Sequence, residues 1–217
     1  MNKSPTDSIF QGDFYSIPTQ KVLCKEFGGF FEEEISQVEP TLCQIKNQID
    51  LVFPNQTEIE KIELLAIVYP EILRYSQLQD FIETTALEFS YLNGSNRIDF
   101  SIGQFQMKPS FVESLLPHES RKSIIENLKT VEGQLNYLDV FRKQMLLKYG
   151  LESNPTLSRV ETLATLYNLG PNTIPSQVRN YQKEKHFPYG YSFDGDQYSY
   201  SHIAAQFWTL NTQQHEQ

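Results

Sequence analysis

The stretch from residue 57 to residue 76 constrains the fold most, because it joins a helix start to a long apolar face. Thr57 and Glu60 have the spacing of a capping box, in which the two side chains satisfy each other's free backbone N–H groups. Apolar residues then recur at helical spacing, at Ile59, Ile62, Leu65, Ala66 and Tyr69. We expect one face of this helix to be buried, and Pro70 to stop or kink it.

Glu71 follows that proline and is the residue we expect to carry chemistry. It would lie near the negative end of the helix dipole, beside the apolar side chains of Val68, Tyr69 and Ile72. Both influences disfavour the ionised form of a carboxyl group. A carboxylic acid that stays protonated near neutral pH can act as a general acid. The alternative is a surface Glu after a helix-ending proline.

Charge and length limit the classes of function. The 217 residues include 18 Lys and Arg against 27 Asp and Glu, a formal net charge of −9, without a basic cluster. This balance argues against nucleic acid or an anionic membrane as a partner. The length fits one domain with a proper core. Twelve Tyr residues suit a carbohydrate groove, although packing at the rim of the core explains any one of them equally well.

Signals for metals, disulfides and membranes are weak. The four His residues are scattered, so we expect no metal site, and we expect no cofactor. Cys24 and Cys43 would be either bridged or two buried thiols. The first thirty residues lack an apolar signal segment, and no apolar run of about 18 residues occurs, so we expect neither a visible signal peptide nor a membrane span.

The remaining periodicity predicts a mainly α-helical domain with at most a small β-element near residues 97–102. Residues 120–149 predict one long, central, deeply packed helix, with a coiled-coil dimer as the alternative. Gly133 lies within it and should be a close-packing point, because Gly costs roughly 1 kcal/mol relative to Ala inside a helix.

Shorter helices are expected on either side. Ser110 should cap a helix at residues 111–116. Asn154-Pro155-Thr156 should start another helix, with Pro155 in its first turn, and this helix should end at Gly170. Further helical segments are predicted for two pieces of 19–50 interrupted by Gly28-Gly29 and Pro40, for 72–91, for 177–181 and for 201–210.

We predict four regions from this pattern. Residues 1–18 form a flexible N-terminal arm, and residues 19–55 form an N-terminal helical extension. Residues 56–212 form the catalytic domain, and residues 213–217 form a tail.

Three stretches together resemble the lytic transglycosylases and goose-type lysozymes, which share the lysozyme-like fold. In that family a Glu closes a helix, a Gly-Leu-Met-Gln-Ile-x-Pro segment follows, and an Ala-Tyr-Asn-Ala-Gly segment comes later. This chain has, in the same order, Glu71, Gly103-Gln104-Phe105-Gln106-Met107-Lys108-Pro109 and Leu166-Tyr167-Asn168-Leu169-Gly170. It departs from the pattern where Ile72 replaces the usual Ser, so that Ser76 or Ser101 would have to supply the hydroxyl.

The resemblance implies a single-domain, lysozyme-like fold and a peptidoglycan-cleaving lytic transglycosylase. Glu71 would protonate the glycosidic oxygen of the N-acetylmuramic acid β-1,4-N-acetylglucosamine bond. It would then take the proton of the sugar's 6-hydroxyl group and leave a 1,6-anhydro end. A hydrolytic lysozyme is the alternative enzyme, and a non-catalytic glycan-binding or structural module of the same fold is the alternative outside enzymes.

The resemblance also implies roles for the residues around Glu71. Gln106 and Asn168 would bind the acetamido groups, and Tyr167 would orient Glu71. The loop near the sugar would be shaped by Ser101 and Gly103. Asp99 is the candidate second carboxylate that a lysozyme would use, with capping of a loop as its alternative role.

The implied partner is the peptidoglycan glycan strand, with a larger envelope or tail-like assembly as a further candidate. The expected location is the bacterial cell envelope, the periplasm or the outside of the cell.

Overall fold

Helices dominate the described part of the computed structural model, which covers residues 32–74, 99–185 and 198–213. They are α1 (Glu32–Val52), α2 (Glu58–Arg74), α3 (Pro109–Leu115), α4 (Arg121–Leu128), α5 (Val131–Tyr149), α6 (Leu157–Leu169), α7 (Pro175–Tyr181) and α8 (Tyr200–Thr212). No strand occurs within these ranges, and Ile102 and Met107 form an isolated antiparallel bridge. The prediction of a mainly α-helical chain is confirmed.

Helix α2 forms the centre of the described core. Every residue from Ile62 to Leu73 is buried, and the helix packs against α1, α5, α6 and α8. The Tyr69 ring stacks on Phe207 of α8, with 4.3 Å between ring centroids. The predicted capping box is confirmed: Thr57 N donates to Glu60 Oε2 (2.9 Å), and Glu60 N donates to Thr57 Oγ1 (3.3 Å).

Two prolines lie inside helices that they were expected to interrupt. Pro70 does not stop α2, which continues to Arg74, and Pro40 lies within α1. A proline inside a helix loses one hydrogen bond and costs about 3 kcal/mol. Burial on several neighbouring helices outweighs this loss at Pro70, because tertiary packing supplies most of the stability of a helix in a protein.

The predicted long helix of residues 120–149 is instead two helices, α4 and α5. Ser120 caps the first helix by accepting from Ser123 N, and Thr130 caps the second by accepting from Gly133 N. The sequence periodicity runs through the junction, but the cap at Thr130 opens a new helix there. Gly133 is confirmed as a close-packing point, since a Cβ there would lie 2.0 Å from the Asn127 carbonyl oxygen.

A buried ion-pair network joins α2, α5 and α6. Glu63 is fully buried, and its Oε2 accepts from Arg159 (2.5 Å) and Arg142 (3.4 Å). Arg142 also pairs with Asp139 at 2.7 Å. Removing one partner from such a network leaves an uncompensated charge and costs about 3–5 kcal/mol. The network therefore holds α2 and α6 in one relative position.

The other helix predictions have mixed outcomes. Gly170 ends α6, as predicted. The helix begins later than predicted, at Leu157, because Thr156 caps it by accepting from Arg159 N, so Pro155 lies before the helix and not in its first turn. Ser110 does not cap α3, because that helix begins two residues earlier than predicted, at Pro109, with Lys108 as its N-cap residue. Helix α1 belongs to the predicted N-terminal extension and contributes Val38, Leu42, Ile45 and Ile49 to the common core.

Some predictions fall outside the described residues. They are the arm at residues 1–18, the helical continuation to Tyr91, the Gly28-Gly29 interruption, Ser76, and Cys24 as a partner for Cys43. Cys43 itself is a partly buried free thiol. The region boundaries remain predictions.

Candidate active site

Five of the predicted site residues line one cavity of about 720 Å³. Ligand sites usually enclose roughly 300–1,000 Å³. The cavity lies between the end of α2, the segment before α3 and the connection from α6 to α7, and its lining includes Glu71, Ser101, Gln106, Tyr167 and Asn168. Folding thus brings together residues from all three of the sequence stretches that carry the resemblance.

Glu71 is the buried carboxyl group of this cavity, with 7% of its surface exposed. Burial raises its pKa, while Arg74, the hydroxyl group of Tyr200 and Lys108 each hold the pKa down. Arg74 Nη1 lies 3.1 Å from Glu71 Oε2. Loss of water is the largest of these influences, so the pKa of Glu71 is raised overall. This environment favours a protonated acid.

A tight turn at residues 103–106 forms part of the cavity wall. Its ends are joined by the Ile102–Met107 bridge, and Gln106 N donates to Gly103 O at 3.0 Å. The Gln106 side chain also donates to Gly103 O at 2.8 Å and lines the cavity. Gln106 has a φ of +52°, and such strained conformations cluster at functional sites at a cost of about 1–3 kcal/mol each.

Two buried side chains hold this turn in place. Gln134 of α5 accepts from Phe105 N at 2.9 Å and donates to Leu128 O at 2.9 Å. Tyr167 of α6 donates to Phe105 O at 2.6 Å. Gly103 allows this arrangement, because a Cβ at its φ of +70° would lie 2.0 Å from the Gln134 amide nitrogen. Gly103 therefore allows the turn to pack closely against Gln134. It is not among the residues that line the cavity.

The hydroxyl group of Tyr167 thus serves the turn and not Glu71. The hydroxyl group of Tyr200, at the start of α8, also lies near the Glu71 carboxyl group and lowers its pKa. Tyr167 remains close to Glu71, since the negative charge of Glu71 adds to burial in raising the pKa of Tyr167. The orienting role of Tyr167 stays a prediction, since the bond that its hydroxyl group donates goes to the Phe105 carbonyl oxygen.

Asn168 and Ser101 complete the predicted part of the lining. Asn168 Nδ2 donates to the Tyr181 hydroxyl group at 2.6 Å, which ties the cavity wall to α7. Ser101 is partly exposed and precedes the turn. Both present polar atoms of the kind that bind hydroxyl and acetamido groups.

Asp99 does not line the cavity. Its carboxylate accepts from Ser110 N at 2.9 Å and from the Ser110 hydroxyl group, and it pairs with Arg121 at 3.1 Å. It thereby satisfies a backbone N–H in the first turn of α3, which lacks a side-chain cap from its own N-cap residue. The geometry supports the capping alternative for Asp99 over a second catalytic carboxylate.

Four residues of this site were missed in the sequence: Arg74, Lys108, Gln134 and Tyr200. Arg74 lies one helical turn after Glu71. The sequence would have revealed that the two residues are neighbours only if one helix had been predicted to run through Pro70. Lys108 occupies the position marked x in the Gly-Leu-Met-Gln-Ile-x-Pro motif, where the family pattern specifies no residue. Gln134 and Tyr200 carry no local signal, because only tertiary packing brings them to the turn and to Glu71.

The described ranges contain no group of three or more His, Cys, Asp or Glu residues placed to hold a metal ion. None of the described helices is long and apolar enough to span a membrane. No protein-family model, curated protein or solved structure matches the chain.

Proposed function

We propose that the protein is a lytic transglycosylase with a lysozyme-like fold that cleaves the N-acetylmuramic acid β-1,4-N-acetylglucosamine bond of peptidoglycan. The observation that carries the proposal is the placement of the buried Glu71 carboxyl group in one cavity with Gln106, Tyr167 and Asn168. These residues come from three stretches whose order resembles the family, and a shared cavity is what a common site requires.

A single carboxyl group favours the transglycosylase over the lysozyme. Among the described residues that line the cavity, Glu71 supplies the only carboxyl group. A retaining or inverting hydrolase generally needs a second carboxyl group within about 5–10 Å. The Asp99 carboxylate is instead engaged by Ser110 and Arg121.

In the proposed reaction Glu71 first donates one proton and then accepts another. Glu71 donates its proton to the glycosidic oxygen as the bond to the anomeric carbon breaks, and the substrate's N-acetyl group stabilises the developing oxocarbenium ion. The ionised Glu71 then accepts the proton of the sugar's 6-hydroxyl group, whose oxygen bonds to the anomeric carbon. The acid is regenerated, and the product carries a 1,6-anhydro end without consumption of water.

The test is Glu71→Gln, assayed on purified peptidoglycan with mass spectrometry of the released fragments. The substitution keeps size and most hydrogen bonding but removes the transferable proton, so cleavage should fall by about 10²–10⁴-fold while glycan binding persists. Glu126→Gln is the matched control, since Glu126 is an exposed residue of α4 that pairs with Lys129.

Three outcomes would contradict the proposal in different ways. Full activity of Glu71→Gln would remove Glu71 from the mechanism. Reducing ends in place of anhydro ends would identify a hydrolytic lysozyme. Glycan binding without turnover by the unaltered protein would identify a binding module.

The proposed substrate also suggests where the protein acts. Peptidoglycan strands lie in the bacterial cell envelope, so we propose action at the envelope, the periplasm or outside the cell, alone or within a larger envelope or tail-like assembly. Fractionation of the native protein tests this location, and recovery away from every wall-containing or secreted fraction would contradict it.

A further inference from the structure

Each of the three helices joined by the buried ion-pair network also carries a residue of the candidate site. The pairs, with the network residue first, are Glu63 and Glu71 on α2, Arg159 and Tyr167 on α6, and Arg142 and Gln134 on α5. In every pair the two residues are eight positions apart, which is about 12 Å along a helix axis. The same three helices therefore contact one another at two levels, the network and the site.

The network gives these helices one relative position along their axes. Glu63 Oε2 accepts from Arg159 at 2.5 Å and from Arg142 at 3.4 Å, so one carboxyl oxygen joins α2 to both other helices. All three side chains are buried. Apolar contacts are non-directional and permit small shifts of one helix along another, whereas these bonds form only in one register. The network therefore fixes the register more tightly than apolar packing alone.

The candidate site depends on that register. Tyr167 of α6 donates to Phe105 O at 2.6 Å, and Gln134 of α5 accepts from Phe105 N at 2.9 Å. The turn at residues 103–106 is thus held by α5 and α6 together, while Glu71 reaches the same cavity from α2. A shift of one helix by about 1 Å would move Glu71 relative to the turn, and a displacement of this size can lower a rate by about 100-fold.

We propose that Glu63, Arg142 and Arg159 are positioning residues of the site, which fix where Glu71 lies relative to the 103–106 turn. None of the three is among the described residues that line the cavity, so they act through the helices that carry them. Their effect on cleavage rests on the proposed function, whereas their effect on the turn does not. Burial raises the pKa of Glu63, and the two Arg residues lower it. Since Oε2 accepts hydrogen bonds in either protonation state of Glu63, the register is held in both.

The main test replaces the network with apolar side chains of similar length, in the triple variant Glu63→Met, Arg142→Met and Arg159→Met. Such a replacement of a buried ion-pair triad is often neutral or stabilising, so Tm should equal or exceed that of the unaltered protein. Cleavage of peptidoglycan should nevertheless fall by at least about ten-fold, because the register is held less tightly. Asp139 keeps Lys143 as a partner at 2.6 Å, and the carbonyl groups that Arg159 releases belong to exposed residues.

Hydrogen exchange gives a second readout that is independent of cleavage. The Phe105 N–H donates to Gln134, so its protection reports whether α5 still supports the turn. In the triple variant it should exchange at least about ten-fold faster, while the N–H of Leu138, buried on α5, stays protected. Lys61→Met is the control. It removes an ion pair with Asp50 of α1 (2.7 Å), outside the three-helix network, and should change neither readout.

Two single variants separate positioning from stability, and they decide the question if the triple variant does not fold. Glu63→Gln keeps an oxygen that accepts from Arg159, and its amide nitrogen replaces Oε1, which has no hydrogen-bond partner within the described residues. Glu63→Met removes the acceptor. Both leave two buried cations uncompensated and should lower Tm. Per folded molecule, measured well below both Tm values, only Glu63→Met should lose cleavage and protection of Phe105.

Unchanged cleavage and Phe105 protection in a stable triple variant would overturn the inference, as would equal values per folded molecule in Glu63→Gln and Glu63→Met. Failure of the proposed function gives a different pattern. If the unaltered protein cleaves no glycan but Phe105 protection falls as expected, the network positions the turn and the proposed function is wrong. If Glu71→Gln abolishes cleavage while the triple variant cleaves normally, the proposed enzyme stands and the positioning role falls.

Discussion

Glu71 and Arg74 lie one helical turn apart on α2, and their side chains form an ion pair with 3.1 Å between Oε2 and Nη1. The pair exists because α2 passes through Pro70 instead of ending there. This pair affects the protonation of Glu71, since Arg74 opposes the rise that burial produces in the pKa of Glu71. The predictions below follow from this balance and from the contacts that hold the cavity wall.

Stability should depend on pH through Glu71. Because its pKa is raised in the folded state, the stabilising effect of the protonated form is fully present below about pH 4.5, the ordinary pKa of Glu, and is lost as pH rises through the raised value. Glu71→Gln stays neutral and cannot lose this stability. The variant should therefore exceed the unaltered protein in Tm at pH 7, with a smaller difference near pH 4. Thermal unfolding across pH measures this, and a constant difference would contradict it.

Two tyrosine substitutions should separate tuning of the acid from support of the turn. Tyr200→Phe removes a hydroxyl group that lowers the pKa of Glu71, so the alkaline limb of the pH–activity profile should move to higher pH. Tyr167→Phe leaves the buried Phe105 carbonyl without its donor and should cost about 1–3 kcal/mol of stability. Its alkaline limb should stay in place. A shift of the alkaline limb in Tyr167→Phe alone would support the predicted role of Tyr167 in orienting Glu71.

Asp99→Asn should affect stability slightly and cleavage hardly at all. The substitution weakens the contacts with Ser110 and Arg121, and a partly exposed ion pair of this kind contributes about 0–1 kcal/mol. Cleavage rates and Tm measured side by side with Glu71→Gln provide the comparison. Equal loss of cleavage in the two variants would indicate a two-carboxylate lysozyme.

Gly103→Ala should disturb the turn beyond the cost of its backbone angle. A non-glycine residue in the left-handed region costs roughly 1–2 kcal/mol, and this applies equally to Gly150, which has a φ of +58° and open space around it. At Gly103 the new Cβ would also collide with the Gln134 amide, adding about 1–3 kcal/mol. Denaturant unfolding of both variants measures the difference. Equal destabilisation would mean that Gln134 moves aside without loss.

The sequence by itself determined the helices whose signals are local. The capping box of Thr57 and Glu60 and the stop at Gly170 each depend on residues within one turn, and the structure has both. The apolar period of α2 likewise predicts its burial. Residues of the three motif stretches also lie in one cavity, as the resemblance implied.

Only the tertiary structure decided how those elements are used. Burial on all sides keeps α2 helical through Pro70, and this places Arg74 beside Glu71, whereas the local rule for proline predicted an end or a kink. The same packing brings Tyr200 to Glu71 and Gln134 to the 103–106 turn from distant parts of the chain. Side-chain partners far apart in sequence leave no periodic or capping signal. Packing therefore decided that the Tyr167 hydroxyl group bonds to the turn and that Asp99 lies outside the cavity.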